Sequence, residues 1–483
     1  MKPFLRILHI VFLGTLGAFV TFSTPTNAQS AVSDSLTRYY RYDKDLLTKE
    51  FHQGRRAALR EMMPAKSVAV FFAAPIRNRS HDDDYNYHQN PDFYYLSGFN
   101  EPDAILLVMK DSVTIGGQKA NEFIFVSDRD KKAEIWTGRK LGKLGAASLL
   151  GISAVLVHDD FDKVDIAWDK FDKLLYAPLP KGAVDVPDDK YDLYDLILTF
   201  KRRAKFPSES SESASLIGIM AKLRQEKLPE ELTLMRKAIG MTCIAEQEVM
   251  KSLVPGLYEY QVQAILEYIF KTNGSEYVGF PSICGGGENS CVLHYESNRK
   301  QLEDGNLIVI DIGAEYHGYS ADVTRTIPVN GKYSDAQKEI YELVYEAQAA
   351  GIRECRPGVS FWAPHLAAHD TIAKGLIRLG IIKNEWEVES YFMHGTSHYL
   401  GLDVHDAGTY LKLKEGDVIT VEPGIYIPEG SPCDKKYWNT GVRIEDDVLI
   451  TGDSCEVLSA AAPRKVAQIE ALMQQIGMFK PKK

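Results

Sequence analysis

Residues 307–329 read LIVIDIGAEYHGYSADVTRTIPV, and this stretch decides how the second half of the chain folds. A run of β-branched residues, a short polar segment and a second alternating run predict a β-hairpin. With Tyr316 and His317 as its loop, Asp311 would lie directly opposite Asp322, with Cβ atoms about 4.5–5.5 Å apart. Like charges so placed destabilise a sheet, so the pairing predicts a bound metal ion; an ordinary polar hairpin is the alternative.

Further metal-ligand residue types lie downstream of this hairpin. The stretch HGTSHYLGLDVHD, residues 394–406, contains three of the chain's 12 histidines, and histidine is the commonest side-chain metal ligand. His398 can join Glu422, which ends a β-rich run, and Glu445, which shares a strand face with Arg443. Together with the two aspartates these residues carry four negative charges. Two divalent ions would balance them and leave a place for a bridging hydroxide, with Mn as first choice and Zn, Co or Fe as alternatives.

The N-terminus has the pattern of an export signal. Lys2 and Arg6 precede the apolar run ILHIVFLGTLGAFVTF, which is followed by TPTNA at residues 24–28. The run is too short for a durable membrane span, so we predict a signal peptide over residues 1–28 and an exported protein, periplasmic or secreted. An uncleaved N-terminal anchor is the alternative. No later run is long enough to predict a second span.

Composition narrows the partners and the number of domains. The 483 residues carry a net charge of −10, which becomes −12 once Lys2 and Arg6 are removed, and this argues against a nucleic-acid partner. Buried-strand patterns alternate with amphipathic stretches in the first half, which predicts an α/β domain. A Ser- and Glu-rich segment at 205–218 separates the two halves. We therefore predict domains at 29–210 and 211–483.

Six cysteines are too few for a disulfide scaffold at this chain length. Most are predicted to be buried packing residues. Cys284 and Cys291 are the one pair close enough in sequence to suggest an exported disulfide.

Four motifs, in order and spacing, resemble those of the pita-bread metallopeptidases, and most closely the Xaa-Pro aminopeptidases (aminopeptidase P). They are DIGAEYHGYSADVTRTIPVNGKYSDAQKEIYELV, HGTSHYLGLDVHD, TVEPGIYI and GVRIEDD. The segments RNRSHDDDYNYHQNPDFYYLSGFNEPDAILLV and AEIWTGRKLG are similar to that family's N-terminal domain. The resemblance implies an N-terminal creatinase/prolidase-like α/β domain, a C-terminal pita-bread catalytic domain, and a homo-oligomer, either dimer or tetramer.

The resemblance also implies a role for each ligand. Asp311 would bind one ion in bidentate fashion, while Asp322 and Glu445 would bridge both ions. His398 and Glu422 would complete the second ion, and Glu422 would also shuttle a proton from the activated water to the leaving proline nitrogen.

The remaining predicted residues would contact the peptide. His294 would assist the tetrahedral intermediate beside the scissile carbonyl, and His405 would contact the peptide near the following residue. His394 would line the pocket on the proline side, while Arg443 would orient its neighbours.

Tyr426 would contact the substrate, and Trp136 resembles a tryptophan that reaches into a neighbouring subunit's active site. Phe280 departs from the family pattern, in which many members have tyrosine, so a hydroxyl role there is in doubt.

Three functions are compatible with these motifs. The first is an Xaa-Pro aminopeptidase, which releases the first residue from peptides with proline in second position. An Xaa-Pro dipeptidase (prolidase) uses the same ligands, and only the N-terminal domain favours the aminopeptidase. A non-catalytic peptide-binding module is the third, although binding-only relatives commonly lose ligands that this chain retains.

Overall fold

The computed structural model describes residues 43–187, 190–205 and 211–479. The predicted signal segment, residues 1–28, lies outside the described residues. Within the described ranges no helix has the length and apolar character needed to cross a membrane. The described residues from Asp45 onward form one compact unit.

The first half is built on a five-stranded mixed sheet with strand order β6-β5-β4-β1-β7. Strand β1 runs antiparallel to β4 and parallel to β7. The elements of this half are α1 (Lys49–Met62), β1 (Ser67–Phe72), β2 (Asn78–Ser80), β3 (Asp83–Asp84), α2 (Pro91–Ser97), β4 (Ile105–Ile115), β5 (Gln118–Val126), α3 (Glu134–Thr137), α4 (Gly142–Leu149), β6 (Ala154–Val157), β7 (Lys173–Tyr176) and α5 (Leu193–Arg203).

Strand β1, SVAVFF, shows why this sheet is covered on both faces. All six of its residues are buried. Ala69 and Phe71 pack into one apolar cluster, whereas Val68 and Val70 pack into another on the opposite face. Alternate side chains of a strand point to opposite faces, so a continuous apolar run marks a strand buried between two layers.

The second half places long helices against several short antiparallel sheets. The strand orders of these sheets are β13-β10-β9, β12-β11-β8, β14-β17-β18 and β15-β16. Its elements are α6 (Ser211–Gln225), α7 (Pro229–Ser252), α8 (Glu259–Thr272), β8 (Tyr277–Val278), β9 (Ile283–Gly286), β10 (Leu307–Ile312), β11 (Ala314–Tyr316), β12 (Tyr319–Ser320), β13 (Val323–Pro328), α9 (Asp335–Glu354), α10 (Ala363–Arg378), β14 (Val418–Val421), β15 (Gly424–Ile427), β16 (Thr440–Arg443), β17 (Asp446–Ile450), β18 (Cys455–Val457) and α11 (Val466–Met473).

One large apolar cluster holds this half together. Leu266 of α8, Val344 of α9 and Ile372 of α10 pack with Ile310 of β10 and Ile425 of β15, and all five are buried. A second cluster joins Leu216 of α6 to Phe93 of the first half. The helix that follows the predicted domain boundary therefore packs on the N-terminal half, and the boundary at 210/211 stays a prediction.

The predicted hairpin exists, but its predicted register was wrong. Asp311 pairs with Thr324, not with Asp322, and Tyr316 pairs with Tyr319. The two-residue loop is His317-Gly318, with φ of 49° and 83°. A type I′ loop requires positive φ at both positions, and Gly318 adopts it without a Cβ penalty.

Cys284 and Cys291 do not form the disulfide that their proximity in sequence suggested, because both thiols are free. Cys284 is fully buried on β9, where its side chain joins the large apolar cluster. Cys243 and Cys355 are also buried, whereas Cys291, Cys433 and Cys455 are half-buried, so half of the cysteines are buried and not most of them as predicted.

Candidate metal centre and active site

A cavity of about 540 Å³ lies where the short sheets of the second half meet. The predicted ligands and four of the other predicted residues line it: Asp311, Asp322, His398, Glu422, Glu445, His294, His394, His405 and Arg443. Most ligands lie where strands begin or end. Asp322 lies between β12 and β13, Glu422 between β14 and β15, and Glu445 between β16 and β17.

Three of the predicted ligands already have the spacing of a metal site. Asp322, His398 and Glu445 each offer a ligand atom, and these atoms lie within 4.8 Å of one another. His398 Nε2 is 3.4 Å from Asp322 Oδ2 and 3.5 Å from Glu422 Oε1. His398 Nδ1 donates to the Tyr399 carbonyl at 3.0 Å, which leaves the Nε2 lone pair facing the carboxylates.

The electrostatics of the cavity fit divalent cations. Burial, and then the charge of Asp311, raises the pKa of Asp322 well above its ordinary value. Burial and then Asp322 raise the pKa of Glu445 likewise, and burial raises that of Glu422. Asp311 Oδ1 is buried without a hydrogen-bond partner in the described structure. Burying a charged carboxylate without a hydrogen-bond partner costs much free energy unless a cation compensates its charge.

Charge counting leads to the same conclusion. Arg443 is the only Lys or Arg among the described residues that line the cavity, whereas five carboxylates line it, those of the four predicted ligands and of Glu296. The surplus is four negative charges. Two divalent cations would neutralise it, so the donor set fits the predicted dinuclear centre.

Arg443 connects several of the ligands, and it reveals a residue that the sequence reasoning missed. Its Nη2 donates to Asp311 Oδ2 at 2.5 Å, and its Nε donates to Thr324 Oγ1 at 3.3 Å. The Thr324 hydroxyl in turn donates to Glu445 Oε2 at 2.6 Å. Thr324 lies two residues after Asp322, so strand parity could have indicated it.

Tyr426 lies behind the cavity wall, within hydrogen-bond reach of two lining residues. Its hydroxyl accepts from Arg443 Nη1 at 2.8 Å and lies 2.9 Å from His394 Nε2. Burial, with the charge of Arg443, lowers the pKa of His394 to about 4, so this imidazole is neutral near pH 7. His394 Nδ1 is 3.7 Å from Glu422 Oε2.

The other predicted contacts divide between the cavity and the surface. The His405 ring lies 4.4 Å from that of His398, centroid to centroid, and burial lowers the pKa of His405. Phe280, where the family pattern has tyrosine, also lines the cavity. Trp136 is 89% exposed and is not among the residues that line the cavity.

The two aspartates of HGTSHYLGLDVHD serve a different purpose, which the sequence reasoning did not assign. Asp406 Oδ2 accepts from Lys227 Nζ at 2.8 Å, and Asp406 Oδ1 also contacts Arg224. Arg224 Nη2 reaches Asp403 Oδ2 at 2.9 Å. At Gly401 an added Cβ would lie 2.2 Å from Asp406 Oδ2, so only glycine fits there. These contacts fix the segment that carries His405.

Comparison with known proteins identifies the family. The model of metallopeptidase family M24 matches residues 233–452, and that of the aminopeptidase P N-terminal domain matches residues 52–167. The Xaa-Pro aminopeptidase of Escherichia coli is 37% identical over 448 residues, covering 88% of this chain and 98% of that protein. Xaa-Pro aminopeptidase 3 of Homo sapiens is 33% identical, covering 84% and 81%.

Solved structures are similar over the same extent. A structure of zinc-substituted Escherichia coli aminopeptidase P with product superposes with a TM-score of 0.78 at 35% identity, covering 89% of this chain and 99% of that chain. The Pseudomonas aeruginosa aminopeptidase PepP has the same TM-score and coverage at 36% identity. The chain is a metallopeptidase of family M24, in the Xaa-Pro aminopeptidase branch. The predicted family and the predicted two-domain fold class are confirmed.

Proposed function

We propose that this chain releases the N-terminal residue from peptides with proline in second position, using two divalent metal ions. The observation that carries this proposal is the convergence of four carboxylates and His398 on one cavity with too few cations. Mn is our first choice of metal because carboxylates dominate the site, with Zn, Co and Fe as alternatives. A prolidase would use the same ligands.

We assign the ligands as the family resemblance implies. Asp311 would hold one ion, Asp322 and Glu445 would hold both, and His398 with Glu422 would hold the second. When bound, the ions would activate water near neutral pH and stabilise negative charge on the scissile carbonyl oxygen.

The other steps fall to side chains of this chain. Glu422 receives the proton released by the attacking water and passes it to the proline nitrogen as the peptide bond breaks. His294 and His405, both exposed to the cavity, donate to the substrate carbonyls. Tyr426 and Arg443 orient His394 on the proline side, as their hydrogen bonds support.

The experiment that tests this function loads metal-free protein with Mn, Zn, Co or Fe in turn. Each form is then assayed with Ala-Pro and with Ala-Pro-Ala-Ala. Release of alanine from the longer peptide supports an aminopeptidase, whereas cleavage of the dipeptide alone supports a prolidase. Peptide binding without cleavage by any metal form would support the non-catalytic module.

We further propose that the protein is exported and forms a homo-oligomer, dimer or tetramer. The export proposal rests on residues 1–28 and the oligomer on the exposed Trp136, which would enter a neighbouring subunit's site. N-terminal sequencing of native protein should find Gln29 first in a non-cytoplasmic fraction; a cytoplasmic protein that begins at Met1 would contradict export. Light scattering on the Trp136→Ala variant and the wild type would test the oligomer.

A further inference from the structure

A second, smaller recess of about 210 Å³ adjoins the main cavity. Val404 and His405 line both spaces, so this pair forms a shared wall. The recess lies between the two halves of the chain: His88 comes from the first half, whereas Glu315 of β11 and Ser320 of β12 come from the second. None of the predicted metal ligands lines it.

Local packing keeps the recess open. At Gly279 an added Cβ would lie 2.9 Å from Ser320 Oγ, so a larger residue would meet the recess wall. The recess also reaches the protein surface, because the side chains of Asp403 and His88 on its border are 47% and 36% exposed. The recess therefore adjoins the main cavity at His405 and opens to solvent at Asp403 and His88.

The recess is lined by two carboxylates, Glu315 and Asp403, and by His88, and no Lys or Arg is among the described residues that line it. Glu315 Oε2 lies 3.0 Å from His88 Nε2, and this hydrogen bond raises the pKa of His88 and favours its cationic form, which leaves the lining with one net negative charge. Asp403 is paired with Arg224, but Arg224 is shared with Asp92 and Asp406. Counting Lys227, which contacts Asp406, two cations in this cluster face three carboxylates. The surplus negative charge is available to a ligand.

We propose that this recess is the binding site for the third residue of the substrate, the one after proline, and that Glu315 and Asp403 select a cationic side chain there. The inference rests on the proposed function, in which His405 contacts the peptide just beyond the scissile bond. A chain that continues past proline must then pass the shared wall. The acidic recess favours a basic side chain and disfavours the free carboxylate of an Xaa-Pro dipeptide, so the recess also favours peptides longer than two residues.

The test compares Ala-Pro-X-Ala peptides in which X is arginine, norleucine or glutamate. We expect kcat/KM to be about 5-fold higher for arginine than for norleucine, the size of one partly exposed ion pair, and lowest for glutamate. In Glu315→Gln the arginine-to-norleucine ratio should approach one. Glu296→Gln is the matched control, because Glu296 lines the main cavity but not the recess, and this variant should retain the ratio.

A second readout does not depend on turnover. Calorimetric titration with the products Pro-Arg-Ala and Pro-norleucine-Ala should show the same preference, again reduced in Glu315→Gln. Asp403→Asn serves as the second variant if Glu315→Gln does not fold. Equal affinities and equal kcat/KM values for all three X residues in wild-type enzyme would overturn the inference.

Two further outcomes would have other meanings. A second comparison varies the first residue of the peptide and uses Arg-Pro-Ala-Ala and norleucine-Pro-Ala-Ala. If Glu315→Gln altered this preference and not that for X, the recess would bind the first residue and the inference would be wrong. If no Ala-Pro-X-Ala peptide were cleaved, the proposed function itself would fail.

Discussion

The segment HGTSHYLGLDVHD connects two groups of buried carboxylates whose negative charges are compensated differently. Near its start, His398 faces Asp322, Glu422 and Glu445 in the main cavity. At its end, Asp406 is enclosed by Lys227 and Arg224. Both groups are buried, and both depend on the same short segment.

Their pKa values differ in direction. Burial and then Asp311 raise the pKa of Asp322, whereas the pKa of Asp406 is lowered, because Arg224 and Lys227 outweigh the effect of burial. Cationic side chains of the chain itself compensate the charge of Asp406, whereas none among the described residues compensates that of Asp322. A buried carboxylate therefore indicates a metal site only where the protein leaves its charge uncompensated.

The largest effect is expected from Asp322→Ala. This change removes a carboxylate proposed to hold both ions, so activity should fall to background and metal content should decrease. In metal-free protein the same variant should not lower Tm, because it relieves repulsion among the remaining carboxylates. Metal analysis, kinetics and calorimetry on wild type and variant would decide this. Near-normal activity and metal content would contradict the dinuclear assignment.

Asp406→Asn should instead lower the free energy of unfolding. It leaves the Lys227 ammonium, whose side chain is 1% exposed, without this partner, and breaking a buried ion pair costs about 3–5 kcal/mol. Urea unfolding would measure the loss. Asp370→Asn, which breaks an exposed pair with Lys374, is the control and should leave the free energy of unfolding nearly unchanged.

The pH dependence of that loss follows from the sign of the shift. The folded pKa of Asp406 lies below its unfolded value, which is near 3.9 for an aspartate. Its contribution to stability is therefore complete above that pH and disappears as pH falls through the folded pKa. The difference in unfolding free energy between wild type and Asp406→Asn should be constant near neutral pH and shrink in acid. A difference that grew in acid would contradict the compensation of Asp406.

His398 belongs to the group of proposed metal ligands, whereas His405 directly precedes Asp406 in the other group. His398→Ala should bind fewer metal equivalents. His405→Ala should keep its metals while kcat/KM falls about 10²-fold, the usual loss for one donor that stabilises the transition state. Metal analysis with steady-state kinetics would separate the two. Metal loss in His405→Ala but not in His398→Ala would reverse the assignments.

The sequence predicted the fold class, because apolar runs and alternation indicated the strands and ordered motifs indicated the family. The five predicted ligands line one cavity, and the roles assigned to them stay predictions. The predicted hairpin loop was one residue too early, which displaced the partner of Asp311 by two residues. The actual loop is His317-Gly318, because a type I′ loop needs positive φ at both of its residues and glycine adopts positive φ readily. The partners of Asp406 could not be predicted, because Arg224 and Lys227 lie about 180 residues away in sequence. The recess could not be predicted either, because it needs His88 and Glu315 brought together from separate halves.

The smallest effect concerns Thr324, whose hydroxyl donates to Glu445 at 2.6 Å and accepts from Arg443. Thr324→Val keeps the side-chain shape but removes the donor that orients Glu445, so metal affinity or kcat/KM should fall about 10- to 100-fold, and Thr324→Ser should restore it. Thr326→Val is the matched control, because the Thr326 hydroxyl lies on the same strand but bonds only to the backbone of Arg443. Metal titration of the three variants would measure this. If Thr326→Val weakened metal binding as much as Thr324→Val, the effect would belong to strand packing and not to the orientation of Glu445.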